Sequence, residues 1–478
     1  MRHVAVIVLL VLGGCAAGPD FHEPAPPATA AYTREPQPEA TVAAGATQSF
    51  ATAEHAPNEW WTEFHNEALN GLVDRALHDS PTLAQAQARL REASETYAAQ
   101  AGGTRYPQVN ASVSGTRQQI DLAALGIPNA PGIGPFSLFD ASLNVSYVLD
   151  IFGSNRRALE ATLAQVDYAS YELEAARLAL AGNVVATTIR RASLMRQLEL
   201  TNRIEAGQAQ QLAILERRLA AGGVAEVDVR GMRTLLEQTR ASLPPLTTQL
   251  AEAGHLLAVL VGVEPAGADV DGIALDSLQL PAALPLTLPS TLARERPDIR
   301  AAEAVLHQAS AEVGVATANL YPQFVVSAGL GSERSRVEDV VNGTNVWNVG
   351  LNLTQPIFHG GQLRAKKRAA EAAYDAAFAG YRQTVLQALQ QVADVLVALE
   401  NDASELNARD RAAQEAEATL TTARMRLAVG GLSQFSLLDS ERQALQTALD
   451  RTRAQADRLA DSAALFQALG SSSVAREH

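Results

Sequence analysis

Two proline-free windows constrain this chain more than any other feature. No proline occurs from Phe136 to Leu243, and none from Ile357 to the C-terminus. Between Ser154 and Ala220 only Gly182 and Gly207 interrupt, and between Gln362 and Val429 only Gly380 does. Each window can hold one helix of roughly 67 residues, about 100 Å long at 1.5 Å per residue. That is far beyond an ordinary globular helix, so neighbours must cover its apolar stripe. Tyr374, Phe378, Tyr381, Val385, Ala388, Val392, Val395 and Leu399 recur at steps of four and three, which predicts a coiled-coil seam. Aromatic residues make up only 5% of the chain and alanine is abundant, a composition suited to long, closely packed helices.

Four other segments alternate with period two: Val109-Ala111-Val113, Leu143-Val145-Tyr147, Val326-Ala328-Leu330 and Trp347-Val349-Leu351-Leu353. Ser, Asn, Gly and Thr mostly fill the alternate positions. Segments of about ten residues with an apolar-out, polar-in dyad match membrane β-strands. They are expected as two hairpins, with strands about 108–117 and 139–149, then about 323–331 and 345–354.

The chain repeats itself. Arg105-Tyr106-Pro107-Gln108-Val109 recurs as Leu320-Tyr321-Pro322-Gln323-Phe324, and Asp150-Ile151-Phe152-Gly153 as Pro356-Ile357-Phe358-His359-Gly360. Arg218-Leu219-Ala220-Ala221-Gly222-Gly223-Val224 recurs as Arg426-Leu427-Ala428-Val429-Gly430-Gly431-Leu432. Both halves read helix, strand pair, very long helix, Gly-Gly turn, returning helix, a duplicated supersecondary unit. The Gly-Gly pairs suit the left-handed position that ends a helix. Pro244-Pro245 is expected to break the first returning helix in two. The expected organisation is a signal peptide at 1–14, an extended linker at 15–58 and a first repeat at 59–265. An inter-repeat linker at 266–288, a second repeat at 289–470 and a tail at 471–478 follow. Four strands cannot close a barrel, and an open sheet edge in lipid costs several kcal/mol for each unsatisfied backbone group. Closure therefore requires oligomers, and three chains would supply twelve strands, an allowed even number.

The N-terminus starts Met1-Arg2-His3 and runs apolar from Val4 to Leu12, a secretory signal about half the length of a membrane span. Cys15, the single cysteine, follows Gly13-Gly14, so Leu12 to Cys15 resembles a bacterial lipobox. Lipidation there would give an N-palmitoyl, S-diacylglycerol cysteine. Ala16, where inner-membrane lipoproteins often carry aspartate, points to the outer membrane. The prolines scattered from Pro19 to Pro57 predict an extended segment behind that anchor. A net charge of −14 argues against a nucleic-acid partner. There is no His-Glu-x-x-His, Cys-x-x-Cys or Walker motif, so no enzymatic role, metal or cofactor is expected and transport energy must come from a partner.

Several stretches resemble the TolC family of outer-membrane efflux proteins, in its lipoprotein branch serving resistance-nodulation-division pumps. They are Cys15-Ala16-Ala17-Gly18-Pro19-Asp20-Phe21, Tyr147-Val148-Leu149-Asp150-Ile151-Phe152-Gly153 and Leu288-Pro289-Ser290. Arg296-Pro297-Asp298-Ile299-Arg300-Ala301-Ala302-Glu303, Gln355-Pro356-Ile357-Phe358, Gly360-Gly361 and Leu437-Leu438-Asp439 add to these. The resemblance implies a membrane α+β fold: a homotrimer with a twelve-stranded β-barrel, a long periplasmic α-helical barrel and an equatorial belt. It implies a periplasmic adaptor docking on the hairpin tips Gly222-Gly223 and Gly430-Gly431, and an inner-membrane pump beyond it. The family's closing carboxylates match Asp439, with Arg442 one turn later on the same helix face. Leu432 and Ser436 stand where classic TolC carries an arginine and a second aspartate, and Leu427 replaces its gating tyrosine. In the first repeat Gly231 takes the place of Asp439. Asp298, Arg300 and Glu303 are expected to hold a helix start. The expected function is an exit duct for small toxic compounds. The alternatives are a type I-like secretion duct and a non-conducting scaffold.

Overall fold

The computed structural model describes residues 16–52, 57–119, 134–267 and 272–470. Cys15, the signal segment, the tail and most of the first hairpin loop lie outside them. In chain order the elements are β1 (Ala40–Ala43), β2 (Ala46–Thr52), a 3-10 turn (Trp60–Phe64), α1 (Glu67–Asp79), α2 (Pro81–Arg105), β3 (Gln108–Gln118) and β4 (Phe136–Leu149). Then come α3 (Ser154–Ala220), α4 (Glu226–Leu260), β5 (Ala283–Leu286), α5 (Pro289–Glu295) and α6 (Pro297–Ala318). The chain ends with β6 (Gln323–Arg334), β7 (Val346–Thr354), α7 (Gln362–Ala428) and α8 (Gln434–Leu469). The two proline-free windows are two helices of 67 residues each, and the returning helices have 35 and 36 residues. Among the described residues no helix is long and apolar enough to cross a membrane.

The chain divides into two compact units. The first comprises residues 1–24, 89–169 and 301–381. Its sheet runs β3-β4-β6-β7, antiparallel throughout, so β4 of the first repeat pairs with β6 of the second. Val109 faces Val145, Val145 faces Ala328 and Ala328 faces Val349, which puts the four apolar rows on one face. Beside the sheet, the start of the described chain is docked rather than free. Ala17 donates to the Phe152 carbonyl at 2.9 Å, Asp20 pairs with Arg157, and Phe21 stacks on His307 with ring centroids 4.3 Å apart. Gly18 adopts φ +96, and a Cβ there would lie 2.5 Å from the Gly314 Cα.

The second unit comprises 25–88, 170–300 and 382–478. Its sheet, β1-β2-β5, corrects two expectations at once. Residues 15–58 are not an extended linker throughout, because 40–52 form a hairpin. Residues 266–288 are not a plain linker either, because β5 pairs parallel with β2, Phe50 opposite Leu284. The hairpin turns on Ala44 and Gly45, both at positive φ, the two-residue turn that suits strand twist. Asn407 supports it, accepting from the Ala44 N–H at 2.9 Å and donating to the Val42 carbonyl. Ala43 packs with Ala403, Leu406 and Ala454, so β1 is stapled to α7 and α8. Elsewhere in this unit Trp60 stacks on Phe466 at 5.6 Å, and Leu200, Ile204, Leu445 and Leu449 join α3 to α8.

Two further expectations are corrected. Pro244 and Pro245 sit inside an unbroken α4. Both are exposed, so water can serve the carbonyls that lose an N–H partner, which removes much of the reason to break. On α7 the buried stripe is Tyr381, Val385, Ala388, Val392, Leu396 and Leu399. Val395 is only half-buried and Phe378 is 39% exposed. A straight helix drifts about 20° per heptad against a strict seven-residue repeat, so the stripe steps from Val392 by four, not three.

Candidate functional site

Both helix reversals are built the same way. α3 ends with Gly222 at φ +76, while Gly222 donates to the Leu219 carbonyl at 2.9 Å and Gly223 to Arg218 at 2.8 Å. α7 ends with Gly430 at φ +74, with Gly430 donating to Leu427 at 3.0 Å and Gly431 to Arg426 at 2.8 Å. This is the Schellman closure, which needs a left-handed residue and spends two orphan carbonyls on the turn. Only the first glycine of each pair has positive φ. The second is placed by its hydrogen bond.

The helices then restart with different caps. At α4 the Asp228 carboxylate accepts from the Ala225 N–H at 3.2 Å. At α8 the Ser433 hydroxyl accepts from the Ser436 N–H at 3.1 Å. Apolar side chains stand exposed around the tips, among them Val227, Met425 and Val429. Ion pairs tie each return to its outgoing helix: Arg233 to Glu216 at 2.8 Å in the first repeat and Arg451 to Asp410 at 2.7 Å in the second.

Asp439 lies on the first turns of α8, and Arg442 donates to its Oδ1 through Nη2 at 3.0 Å and Nε at 3.3 Å. The Asp439 side chain is well exposed and Arg442 about one-third so. Gly231, its counterpart on α4, has open space at its Cβ position. Thus the single chain brings Asp439 and Arg442 together and offers the carboxylate to solvent. Among the described residues no group of three or more His, Cys, Asp or Glu is placed to hold a metal ion.

A charged cluster that the sequence pattern did not reveal lies farther along α8. Arg458 is fully buried and donates to the Thr41 hydroxyl of β1 and the Leu399 carbonyl of α7. Asp402 lies near it with a buried Oδ2 that has no hydrogen-bond partner. Burial first, and then the neighbouring Asp461, push the Asp402 carboxyl up to about 7, against the pull of Arg458. The residues come from α7 and α8, with Thr41 far away in sequence, so no spacing could announce them. Arg296 is legible in sequence as part of a family block, but its anchoring role is not, for the same reason. It opens the Arg-Pro-Asp-Ile-Arg block and is buried, donating to the Ala468 carbonyl at 3.0 Å, Asp298 at 2.9 Å and Gln391. Arg300 donates to the Tyr171 hydroxyl at 2.9 Å. The block is an anchor for the C-terminal helix as well as a helix start.

Comparison with known proteins agrees with this architecture. The family model described as outer membrane efflux protein matches residues 72–263 and 288–471, one segment in each repeat. The solvent efflux pump outer membrane protein SrpC of Pseudomonas putida is 29% identical over 474 residues, covering 98% of each chain. The solved outer-membrane channel OprN superposes with a TM-score of 0.82 at 29% identity, over 96% of this chain and 99% of that one. The open-state outer membrane channel MtrE of Neisseria gonorrhoeae gives 0.80 at 25% identity, over 96% and 98%. A duplicated helix–hairpin unit, paired 67-residue helices and matching tips thus place the chain in the outer membrane efflux protein family, among the TolC-like channels.

Proposed function

We propose that three copies of this chain form the outer-membrane exit duct of a tripartite efflux pump. The observation that carries the reading is the β3-β4-β6-β7 sheet. Its outer strands each keep one unpaired edge, and one face exposes Val109, Val113, Leu143, Leu330, Val349 and Leu351. An apolar face belongs in lipid, but open edges do not. Three sheets of four strands remove the edges by closing a twelve-stranded barrel, wide enough to keep a lumen. The long helices continue the duct as an α-barrel in the periplasm.

The tips Gly222-Gly223 and Gly430-Gly431, with Val227, Met425 and Val429 beside them, form the docking surface for a periplasmic adaptor. A resistance-nodulation-division pump in the inner membrane supplies the energy. Three Asp439 carboxylates ring the periplasmic aperture, each partly neutralised by its own Arg442. The cargo is a small toxic compound. The relative SrpC, named for solvent efflux, supports that class. Cys15 carries the lipid, and the docking of residues 16–21 fixes the chain just behind it.

Planar-bilayer recording on purified protein tests the duct. Discrete trimer conductances are expected, larger in Asp439→Ala. Silence in both proteins would sink the duct and favour the scaffold. A monomer in mild detergent would sink the trimer, and a retained leader ahead of Cys15 the lipid anchor.

A further inference from the structure

The duplicated unit is used once inside the chain and once left open. Phe152 follows β4, and its ring stacks on Tyr321, which precedes β6, with centroids 4.8 Å apart and planes 15° from parallel. The same two strands make the seam between the repeats, Leu149 opposite Phe324. The repeat carries both partners again. Tyr106-Pro107-Gln108 is the counterpart of Tyr321-Pro322-Gln323, and Ile357-Phe358 the counterpart of Ile151-Phe152. The strands these flank, β3 and β7, are the two edge strands. Tyr106 is 69% exposed, Phe358 86% and Ile357 88%. A chain that stacks one such pair leaves the equivalent pair in water, because β3 and β7 lie at opposite edges of one sheet.

Resting on the trimeric reading above, we infer that Phe358 of one copy stacks on Tyr106 of the next, and that β7 pairs antiparallel with that copy's β3. The occupant of the open edge is a second copy because this chain itself carries both halves of the junction. The register follows from the internal seam. Tyr147 faces Val326 and Val145 faces Ala328. Shifting each strand by its own repeat offset sets Leu353 opposite Ala111, and Leu351 opposite Val113, of the next copy. Hydropathy played no part in that shift, yet it sets apolar on apolar, so the lipid-facing stripe crosses the junction unbroken. The two hairpins differ by two residues under the same mapping, an even step that keeps the faces. The aromatic pair therefore fixes the junction. This makes the interface head-to-tail, and such an interface closes into a ring when its rotation allows.

Cross-linking in outer membranes tests this without removing either aromatic ring. Chains carrying Ala111→Cys and Leu353→Cys together should give reducible dimer and trimer bands under mild oxidation, and either single variant none. Directly opposed strand residues lie within disulfide reach. Tyr106→Ala and Phe358→Ala should each weaken trimer association in detergent about fivefold or more per junction. The double variant should be no worse than either single one, since both remove one contact. An intact trimer with no cross-link and no response to either substitution would overturn the junction and leave the trimer standing. A monomer in mild detergent would overturn both.

Discussion

The carboxyl of Asp402 is held between opposing neighbours. Burial, with Asp461 beside it, favours the protonated form, and the buried Arg458 favours the ionised one, with the first effect larger. Asp457, on α8, is raised too, by burial and then by Asp461 and Glu405, against Arg453. An unfolded aspartate loses its proton near pH 4. The folded chain keeps that of Asp402 to about 7. The folded state therefore binds more protons than the unfolded state between those values, so this group's contribution to stability falls as pH rises from about 4 to about 7 and then levels off. Thermal unfolding of Asp402→Asn should show a shallower pH dependence across that window than the parent, and parallel curves would show the carboxyl to be well solvated. A second residue-scale expectation concerns Gly18. With φ +96 and Gly314 against it, Gly18→Ala should cost about 1–3 kcal/mol through backbone strain. The docked segment should open first, read as faster protease cleavage between residues 16 and 24 with little change in the global unfolding midpoint.

At the scale of elements, the tips are where sequence and structure agree most closely, because one conformational demand leaves one residue type free to meet it. Gly430→Ala places a side chain at φ +74 and should destabilise the α7–α8 reversal by about 1 kcal/mol. Faster amide exchange at Gly431, whose N–H closes the turn on Arg426, would report it. The long helices were legible because proline is the strongest local veto and both windows lack it. The paired strands were legible from the dyad of apolar residues in two similar places. What was not legible depends on distant partners. β1 and β2 are built mostly of Ala and Thr, with single Val, Gln, Ser and Phe residues and no pattern of their own, and they hold because Arg458, Asn407 and β5 receive them. Pro244-Pro245 was misread because sequence says that an N–H is missing but not that the freed carbonyls face water. The Asp439–Arg442 pair was read from helical spacing and is present in the chain. A place on a pore axis is a property of an assembly, which no single chain can display.

At the scale of the whole molecule, a threefold axis would turn a surface ion pair into a ring. On one chain, an exposed aspartate 3.0 Å from an arginine is worth about 0–1 kcal/mol and has no consequence for transport. On the threefold axis of the proposed trimer, three such carboxylates would stand at the narrowest aperture, and their summed field would select cations. Arg442 then matters for the opposite reason to its pairing role, since it supplies the positive charge that limits both the field and the mutual repulsion. The two readings separate in a salt gradient across a planar bilayer. The parent duct should show a reversal potential of cation-selective sign. Asp439→Asn should move it toward zero, and Arg442→Ala should move it the other way while loosening the closed state. In the double variant the selectivity should follow Asp439→Asn alone, because an arginine that acts through the carboxylate has nothing left to screen. If all four proteins share one reversal potential, Asp439 and Arg442 lie away from the constriction, and the ring reading falls.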